Sequence, residues 1–155
     1  MKAVRSTDAG IRVVDAPDPE ADPESDAVVV EMASIGICGS DFGYIRAGSR
    51  FILGHELAGT TPDGTAVAVE GVFGCGACGE CRAGTYNRCA TVGMRVPGLS
   101  MDGGMAERMV VPAHSLVPLP TGLALRDAAL VEPAAVACHA LRLGGVGPGA
   151  RVAVV

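Results

Sequence analysis

Four cysteines lie close together in the chain, in the pattern C-x2-C-x2-C-x7-C. They are Cys75, Cys78, Cys81 and Cys89. Tetrahedral zinc takes four soft ligands at about 2.3 Å, and short C-x2-C turns bring two thiolates to one point. The alternatives are two disulfides or unpaired buried thiols. Because the sequence begins with no apolar signal-peptide segment, the spacing favours a closed zinc site whose role is to fold this lobe.

A second set of metal-binding residue types stands upstream of this lobe. Cys38 occurs in I-C-G-S-D, and His55 and Glu56 occur in L-G-H-E-L-A-G. One thiolate, one imidazole and one carboxylate would form a zinc site with an open fourth position, which is the catalytic arrangement. Neighbouring side chains on a strand point to opposite faces, so Glu56 binds directly only if the backbone bends, and otherwise acts through water. The alternative is that Cys38 and His55 are core residues.

Three further candidate ligands lie near the end of the chain: Glu132, Cys138 and His139. Glu132 precedes Pro133, so we expect it at the cap position of a helix, where a carboxylate gains from the helix dipole. We expect Cys138 in the core, as is usual for a free cysteine, and a packing role for His139.

The elements that would position these residues are short strands. The sequence predicts them at residues 2–5, 11–14, 28–38, 56–60, 66–70, 106–111 and 115–119. Many short strands separated by glycine and proline predict a mainly β fold, a small barrel or sandwich, with the cysteine lobe inserted at residues 73–92. After Pro120 we expect a helical turn at 126–129, a helix at 133–143 and a last strand at 151–155.

The composition excludes several classes of protein. The 155 residues are 49% apolar and 19% charged, which argues against disorder. The net charge of −5 gives no basic surface for a phosphate backbone, so we expect no nucleic-acid partner. No segment has the roughly 18 uncharged apolar residues of a membrane span, so we expect no membrane partner and a cytoplasmic location.

Four motifs in this order resemble the zinc-dependent medium-chain dehydrogenases. They are I-C-G-S-D, L-G-H-E-L-A-G, G-C-G-x-C-x2-C-x7-C and L-V-E-P-A-A-V-A-C-H-A. Within this family of alcohol, polyol and threonine dehydrogenases, the C-G-S-D sequence and the Glu-Pro before the helix most resemble the polyol and threonine dehydrogenase branch. The resemblance implies a GroES-like, partly open β-barrel at residues 1–145. It further implies that residues 146–155 begin a truncated Rossmann domain, whose glycine-rich turn would follow Val155.

The same resemblance implies roles for individual residues. Cys38, His55 and Glu56 match the ligands of the catalytic zinc, with Glu132 binding directly or through water. Ser40 matches the hydroxyl that passes on the substrate proton. Tyr44 matches an aromatic residue on the substrate side, whereas Gly43 stands where a histidine often continues the proton relay. The segment between Cys38 and His55, which lines the substrate pocket in the family, is short here.

Function and partners follow from this resemblance as expectations. We expect the catalytic portion of a dehydrogenase that oxidises a small primary or secondary alcohol by hydride transfer, with two zinc ions per chain. NAD or NADP would serve the full-length enzyme, which is expected to be a homo-oligomer, and this chain alone is expected to be inactive. The alternative is a zinc-stabilised GroES-like module with a non-catalytic role in binding or assembly.

Overall fold

Seven strands appear in the predicted order in a computed structural model that describes residues 1–154. They are β1 (Lys2–Thr7), β2 (Gly10–Asp15), β3 (Ala27–Gly36), β4 (Glu56–Thr60), β5 (Ala66–Val69), β6 (Arg108–Pro112) and β7 (Leu116–Pro118). Strands β1 and β2 form a hairpin, and the other five form an antiparallel sheet in the order β6-β3-β4-β5-β7. Isolated bridges join the hairpin to the rest of the molecule, at Ala3↔Ala106 and Arg5↔Ile52. The mainly β prediction is therefore confirmed.

The main core lies on one face of the five-stranded sheet. On β3, Val30 is fully buried and Met32 packs against the core, whereas Glu31 between them is exposed, as the alternation predicts. Apolar side chains from the other strands and from the start of the cysteine lobe complete the core: Leu57, Val67, Val69, Phe73, Met109 and Val111. Phe73 thus attaches the lobe to the barrel.

In residues 1–154, three α-helices accompany the strands: α1 (Gly39–Arg46), α2 (Gly79–Arg82) and α3 (Val131–Leu143). The predicted turn near residue 126 is a 3-10 helix, Leu125–Leu130. The sequence does not predict α1, because two glycines interrupt it and its apolar residues follow no clear helical period. Within the described residues, no helix has both the length and the apolar character needed to cross a membrane.

Helix α3 differs from its prediction in the residue at which it begins and in the exposure of its side chains. It begins at Val131, so Glu132 lies in the first turn and not at the cap, because the preceding 3-10 helix continues directly into it. Only its first turn is half-buried, and Cys138 and His139 are exposed. The burial expected for Cys138 and the packing expected for His139 are therefore wrong: beyond its first turn the helix faces solvent.

The predicted last strand is not formed in the part of it that the structure describes. Residues 151–154 have no strand pairing, and Val155 lies outside the described residues. A strand needs a neighbour to receive its backbone hydrogen bonds, and in the described residues this segment has none.

Candidate metal and active site

The four clustered cysteines converge on one point. Their sulfur atoms all lie within 4.8 Å of one another. The Sγ atoms of Cys75 and Cys81 are 3.9 Å apart, and those of Cys78 and Cys81 are 3.5 Å apart. A tetrahedral zinc site with bonds of about 2.3 Å has edges of about 3.8 Å. The four sulfurs therefore fit a zinc ion, as their spacing predicts.

Local hydrogen bonds prepare two of these thiols to ionise. The Thr91 hydroxyl lies 3.3 Å from Cys89 Sγ, and the Thr91 and Cys75 amides also donate to that sulfur, which lowers the pKa of Cys89 to about 6. Backbone amides of Ala77 and Cys78 lower the pKa of Cys75. Burial, followed by the hydrogen bond with Cys78, raises the pKa of Cys81 to about 11. Because the thiolate is the form that binds metal, Cys75 and Cys89 are the better prepared ligands.

A separate group of polar side chains surrounds His55. Gly54, with φ of +94°, turns the chain just before this residue, and His55 is only 7% exposed. Its Nε2 lies 3.0 Å from Ser40 Oγ, and its Nδ1 lies 3.3 Å from Asp41 Oδ1. The ring of Tyr44 is 5.5 Å from the imidazole, centroid to centroid. Helix α1 thus places three side chains around one histidine.

The start of α1 is fixed by the carboxylate of Asp41. Its Oδ2 accepts a hydrogen bond from the Cys38 amide at 2.9 Å, and its own amide donates to the Cys38 carbonyl. This reciprocal arrangement satisfies amide groups that have no partner inside the helix. It also fixes Cys38 next to the helix that carries Ser40.

Two glutamates approach the same region from other elements. Glu56 opens β4 opposite Gly36 of β3, where a Cβ atom would lie 2.9 Å from the Glu56 Cβ, so only glycine leaves room for this side chain. Glu132 lies against Gly71: a Cβ there would be 3.2 Å from Glu132 Oε1 and 3.4 Å from the His55 carbonyl. Burial raises the pKa of Glu132, the Glu56 carboxylate adds to this rise, and His55 opposes it.

The donor atoms of the second set, Cys38, His55, Glu56 and Glu132, lie farther apart than the four cysteine sulfurs. Among the described residues, the four cysteines are the group with donor atoms all within 4.8 Å, and Cys38, His55, Glu56 and Glu132 are not drawn together to that degree. Their chemistry nevertheless suits zinc. Asp41 Oδ1 lies 3.3 Å from Nδ1, and neither atom has a hydrogen-bond partner among the described residues, so we assign the proton to Nδ1, where it faces this carboxylate. Nε2 then keeps its lone pair, as a metal ligand must.

Asp41 is the residue of this group that the sequence did not predict. It is 2% exposed although it is a carboxylate, which is rare without a partner. The available signal was an acidic residue three positions after Cys38, the spacing of a capping box. Cysteine is not a usual cap residue, so this signal did not indicate a helix.

Comparison with known proteins places these features in a wider group. The family model for the alcohol dehydrogenase GroES-like domain matches residues 24–121. Galactitol 1-phosphate 5-dehydrogenase of Escherichia coli K12 is 36% identical over 158 residues, covering 92% of this chain and 45% of the relative. Sorbitol dehydrogenase of Bacillus subtilis 168 is 32% identical, covering 88% of this chain and 44% of the relative.

Solved structures agree with this result. Galactitol-1-phosphate dehydrogenase from Escherichia coli superposes with a TM-score of 0.81 at 36% identity, covering 94% of this chain and 46% of that one. A structure described as a short chain alcohol dehydrogenase from Escherichia coli CFT073, complexed with NADH, has a TM-score of 0.80 at 30% identity, with the same coverage. The chain therefore spans about half the length of the relatives it matches.

Proposed function

Because the chain belongs to the alcohol dehydrogenase GroES-like domain family, we propose that it supplies the zinc-binding, substrate-activating half of an NAD(P)-dependent alcohol or polyol dehydrogenase. This family membership is the one that the four sequence motifs predict. The relatives act as dehydrogenases over about twice this length, so the reaction of the whole protein is part of the proposal.

One observation carries the proposal: the Ser40 hydroxyl lies 3.0 Å from Nε2 of a histidine whose other nitrogen faces a buried carboxylate. Glu132 is close enough to His55 and Glu56 for both to affect its pKa, and the Cys38 amide donates to the same Asp41 carboxylate. The group is separate from the cysteine lobe, so it can hold a second ion with a different role. A small alcohol is the class of substrate that such a site fits.

Zinc held by Cys38, His55 and Glu56, with Glu132 as a ligand or acting through water, would supply Lewis-acid polarisation of an alcohol oxygen. A nicotinamide dinucleotide would supply the hydride acceptor. The remaining steps belong to side chains of this chain. Ser40 Oγ is within hydrogen-bond reach of the site and half-buried, so it can accept the alcohol proton and release its own toward solvent.

The other side chains orient these groups. Asp41 holds the imidazole of His55 so that Nε2 faces the substrate side. Tyr44, next to that ring, is the aromatic surface against which the carbon chain of an alcohol would lie. Glu132, whose pKa is raised mainly by burial, can hold a proton or a negative charge close to His55 and Glu56.

Finer properties belong to the same proposal. Two zinc ions bind per chain, one in the cysteine lobe and one at Cys38, His55 and Glu56. The full-length enzyme is a cytoplasmic homo-oligomer that uses NAD or NADP. Residues 1–145 form the catalytic domain, and residues 146–155 begin the dinucleotide-binding domain. The non-catalytic binding or assembly role has no support from the relatives, all of which are described above as dehydrogenases.

Elemental analysis of protein purified without chelator tests the proposal. We expect two zinc ions per chain, falling to one in Cys38→Ala. Cys138→Ala is the matched control, because this cysteine is exposed and belongs to neither set. A single zinc that survives Cys38→Ala and disappears in Cys81→Ser would refute the catalytic site.

A further inference from the structure

The short segment 70–74 is the structural link between the cysteine lobe and the proposed active site. At its start, Glu70 follows β5, and its amide donates to the Ser115 carbonyl at 3.0 Å. At its end, a Cβ on Gly74 would lie 2.7 Å from Cys81 Sγ and 2.7 Å from the Tyr86 Cβ. Both ends are therefore in close contact, one with the barrel and one with the lobe.

Among the described residues, one side-chain hydrogen bond joins the lobe to the beginning of this segment. The hydroxyl of Tyr86 donates to Oε1 of Glu70. Glu70 Oε2 is buried and has no hydrogen-bond partner among the described residues, so within this part of the chain the Tyr86 hydroxyl is what holds the carboxylate. Removing the phenol would leave both oxygens of the Glu70 carboxyl group without a side-chain donor among the described residues, and an unpartnered buried polar group costs free energy.

The residue after Glu70 touches the proposed active site. Gly71 is the surface on which the Glu132 carboxylate lies, close to the His55 carbonyl. A shift of Glu70 is transmitted directly to Gly71 by the peptide bond between them. One hydrogen bond and one peptide bond thus link Tyr86 through Glu70 to Gly71, where an added Cβ atom would crowd the Glu132 carboxylate.

We propose that Glu70 and Tyr86 are positioning residues: their hydrogen bond holds Gly71 in place and thereby keeps Glu132 and His55 at the distance that the second metal requires. This inference rests on the proposed function, because it assigns Glu132 and His55 to that metal. It also gives the cysteine lobe a role beyond its own folding, since the lobe carries the phenol that orients the active site.

The test uses the chain with zinc in the lobe and cobalt(II) as the probe of the second site. We expect Tyr86→Phe to weaken cobalt binding about threefold to tenfold, less than the 10–100-fold typical of a direct partner of a ligand, because it acts through two more residues. Amide exchange in segment 70–74 should accelerate in the same variant. The matched control is Thr85→Val, which removes a side-chain hydrogen bond internal to the lobe, to Glu80.

A second pair of variants leaves the lobe intact. Glu70→Leu should reproduce both effects, whereas Glu70→Gln, which can still accept from the phenol, should restore cobalt affinity and slow exchange. If Tyr86→Phe loses the lobe zinc, this pair decides instead. The proposal would be overturned if Tyr86→Phe and Thr85→Val had the same cobalt affinity and amide exchange. It would also be overturned if Glu70→Leu and Glu70→Gln did. Unchanged cobalt binding in Cys38→Ala would instead overturn the proposed function. In that case amide exchange in segment 70–74 would still test whether Tyr86 and Glu70 hold this segment in place.

Discussion

Asp41 Oδ1 lies 3.3 Å from Nδ1 of His55, and the two side chains are only 3% and 9% exposed. The other oxygen of the same carboxylate accepts the Cys38 amide at 2.9 Å. One buried side chain therefore contacts two of the residues that we assign to the second zinc. It faces the imidazole nitrogen to which we assign the proton, and it accepts a hydrogen bond from the backbone amide of the cysteine.

Asp41→Asn should weaken metal binding at the second site about 10–100-fold, the range found for partners that orient ligands. The amide of asparagine can donate to Nδ1, which moves the imidazole proton to Nε2 and removes the lone pair that binds metal. Cobalt(II) titration with zinc retained in the lobe measures this change. Asp63→Asn, in an exposed turn, is the control. Equal cobalt affinity in the two variants would show that Asp41 has no such role.

Cys78→Ser should lower the melting temperature more than Cys38→Ser does. The lobe has little apolar core of its own, and a structural zinc can contribute about 10–16 kcal/mol of apparent binding free energy. Loss of Cys38 removes a ligand from a site surrounded by strands and helices that pack independently of the metal. Thermal melts followed by circular dichroism compare the two variants. The same loss of melting temperature in both would contradict the division into a structural and a catalytic ion.

Much of this molecule could be predicted from its sequence, because short-range patterns determine those parts. Alternation along β3 places Val30 inside and Glu31 outside, and the spacing of Cys75 and Cys78 predicts a turn that holds two sulfurs together. These signals are local. They depend on the two-residue period of a strand and on spacings of a few residues, which contacts with distant parts of the chain seldom change.

The parts that escaped prediction depend on contacts between distant residues. Helix α1 contains Gly39 and Gly43, which have low helix propensity, and it forms because the carboxylate of Asp41 closes its first turn and faces His55. The start of α3 likewise depends on the 3-10 helix that leads into it. A prediction based on Pro133 places the helix start two residues too late, so it puts Glu132 at the cap instead of the first turn. Neither feature has a helical period that can be recognised in the sequence, and the capping-box spacing of Cys38 and Asp41 is a weak signal because cysteine is not a usual cap residue.

With the second metal site empty, Glu132→Gln should be more stable than the unsubstituted chain, and the difference should grow as the pH rises. Burial raises the folded-state pKa of Glu132 above its ordinary value of 4.5, so the folded chain holds this proton more tightly than the unfolded chain. Below 4.5 this preference favours folding, and it is lost as the pH rises through the folded-state pKa. The variant never pays the cost of burying the charge, so its advantage should grow with pH.

Thermal melts between about pH 5 and 8, in a Cys38→Ala background that keeps the lobe zinc, measure this advantage. Glu20→Gln, at an exposed position, is the control for removing one negative charge. An advantage for Glu132→Gln that is constant with pH, or matched by Glu20→Gln, would mean that burial does not control this carboxylate.

Ser40→Ala should lower kcat of the full-length enzyme about 10²–10⁴-fold without changing its zinc content. The hydroxyl is the group that we assign to the proton transfer, and no ligand is lost with it. Ser40→Thr keeps a hydroxyl and should retain more activity. Zinc content measured beside the rate separates the two roles: a parallel loss of zinc would indicate that Ser40 supports the site and does not move the proton.

A polypeptide of residues 1–155 should bind zinc and yet oxidise no alcohol. Hydride transfer requires an acceptor held against the substrate carbon, and such positioning is worth roughly 7–11 kcal/mol of the barrier. Proteins that hold a dinucleotide do so with a strand, a glycine-rich turn and the N-terminus of the helix that follows. Residues 151–154 form no strand in this chain, so we expect no affinity for either dinucleotide. Calorimetric titration of NAD and NADP into the zinc-loaded polypeptide, with an activity scan over simple polyols, provides the measurement. Micromolar binding, or turnover above a metal-free control, would show that the chain holds the acceptor by itself.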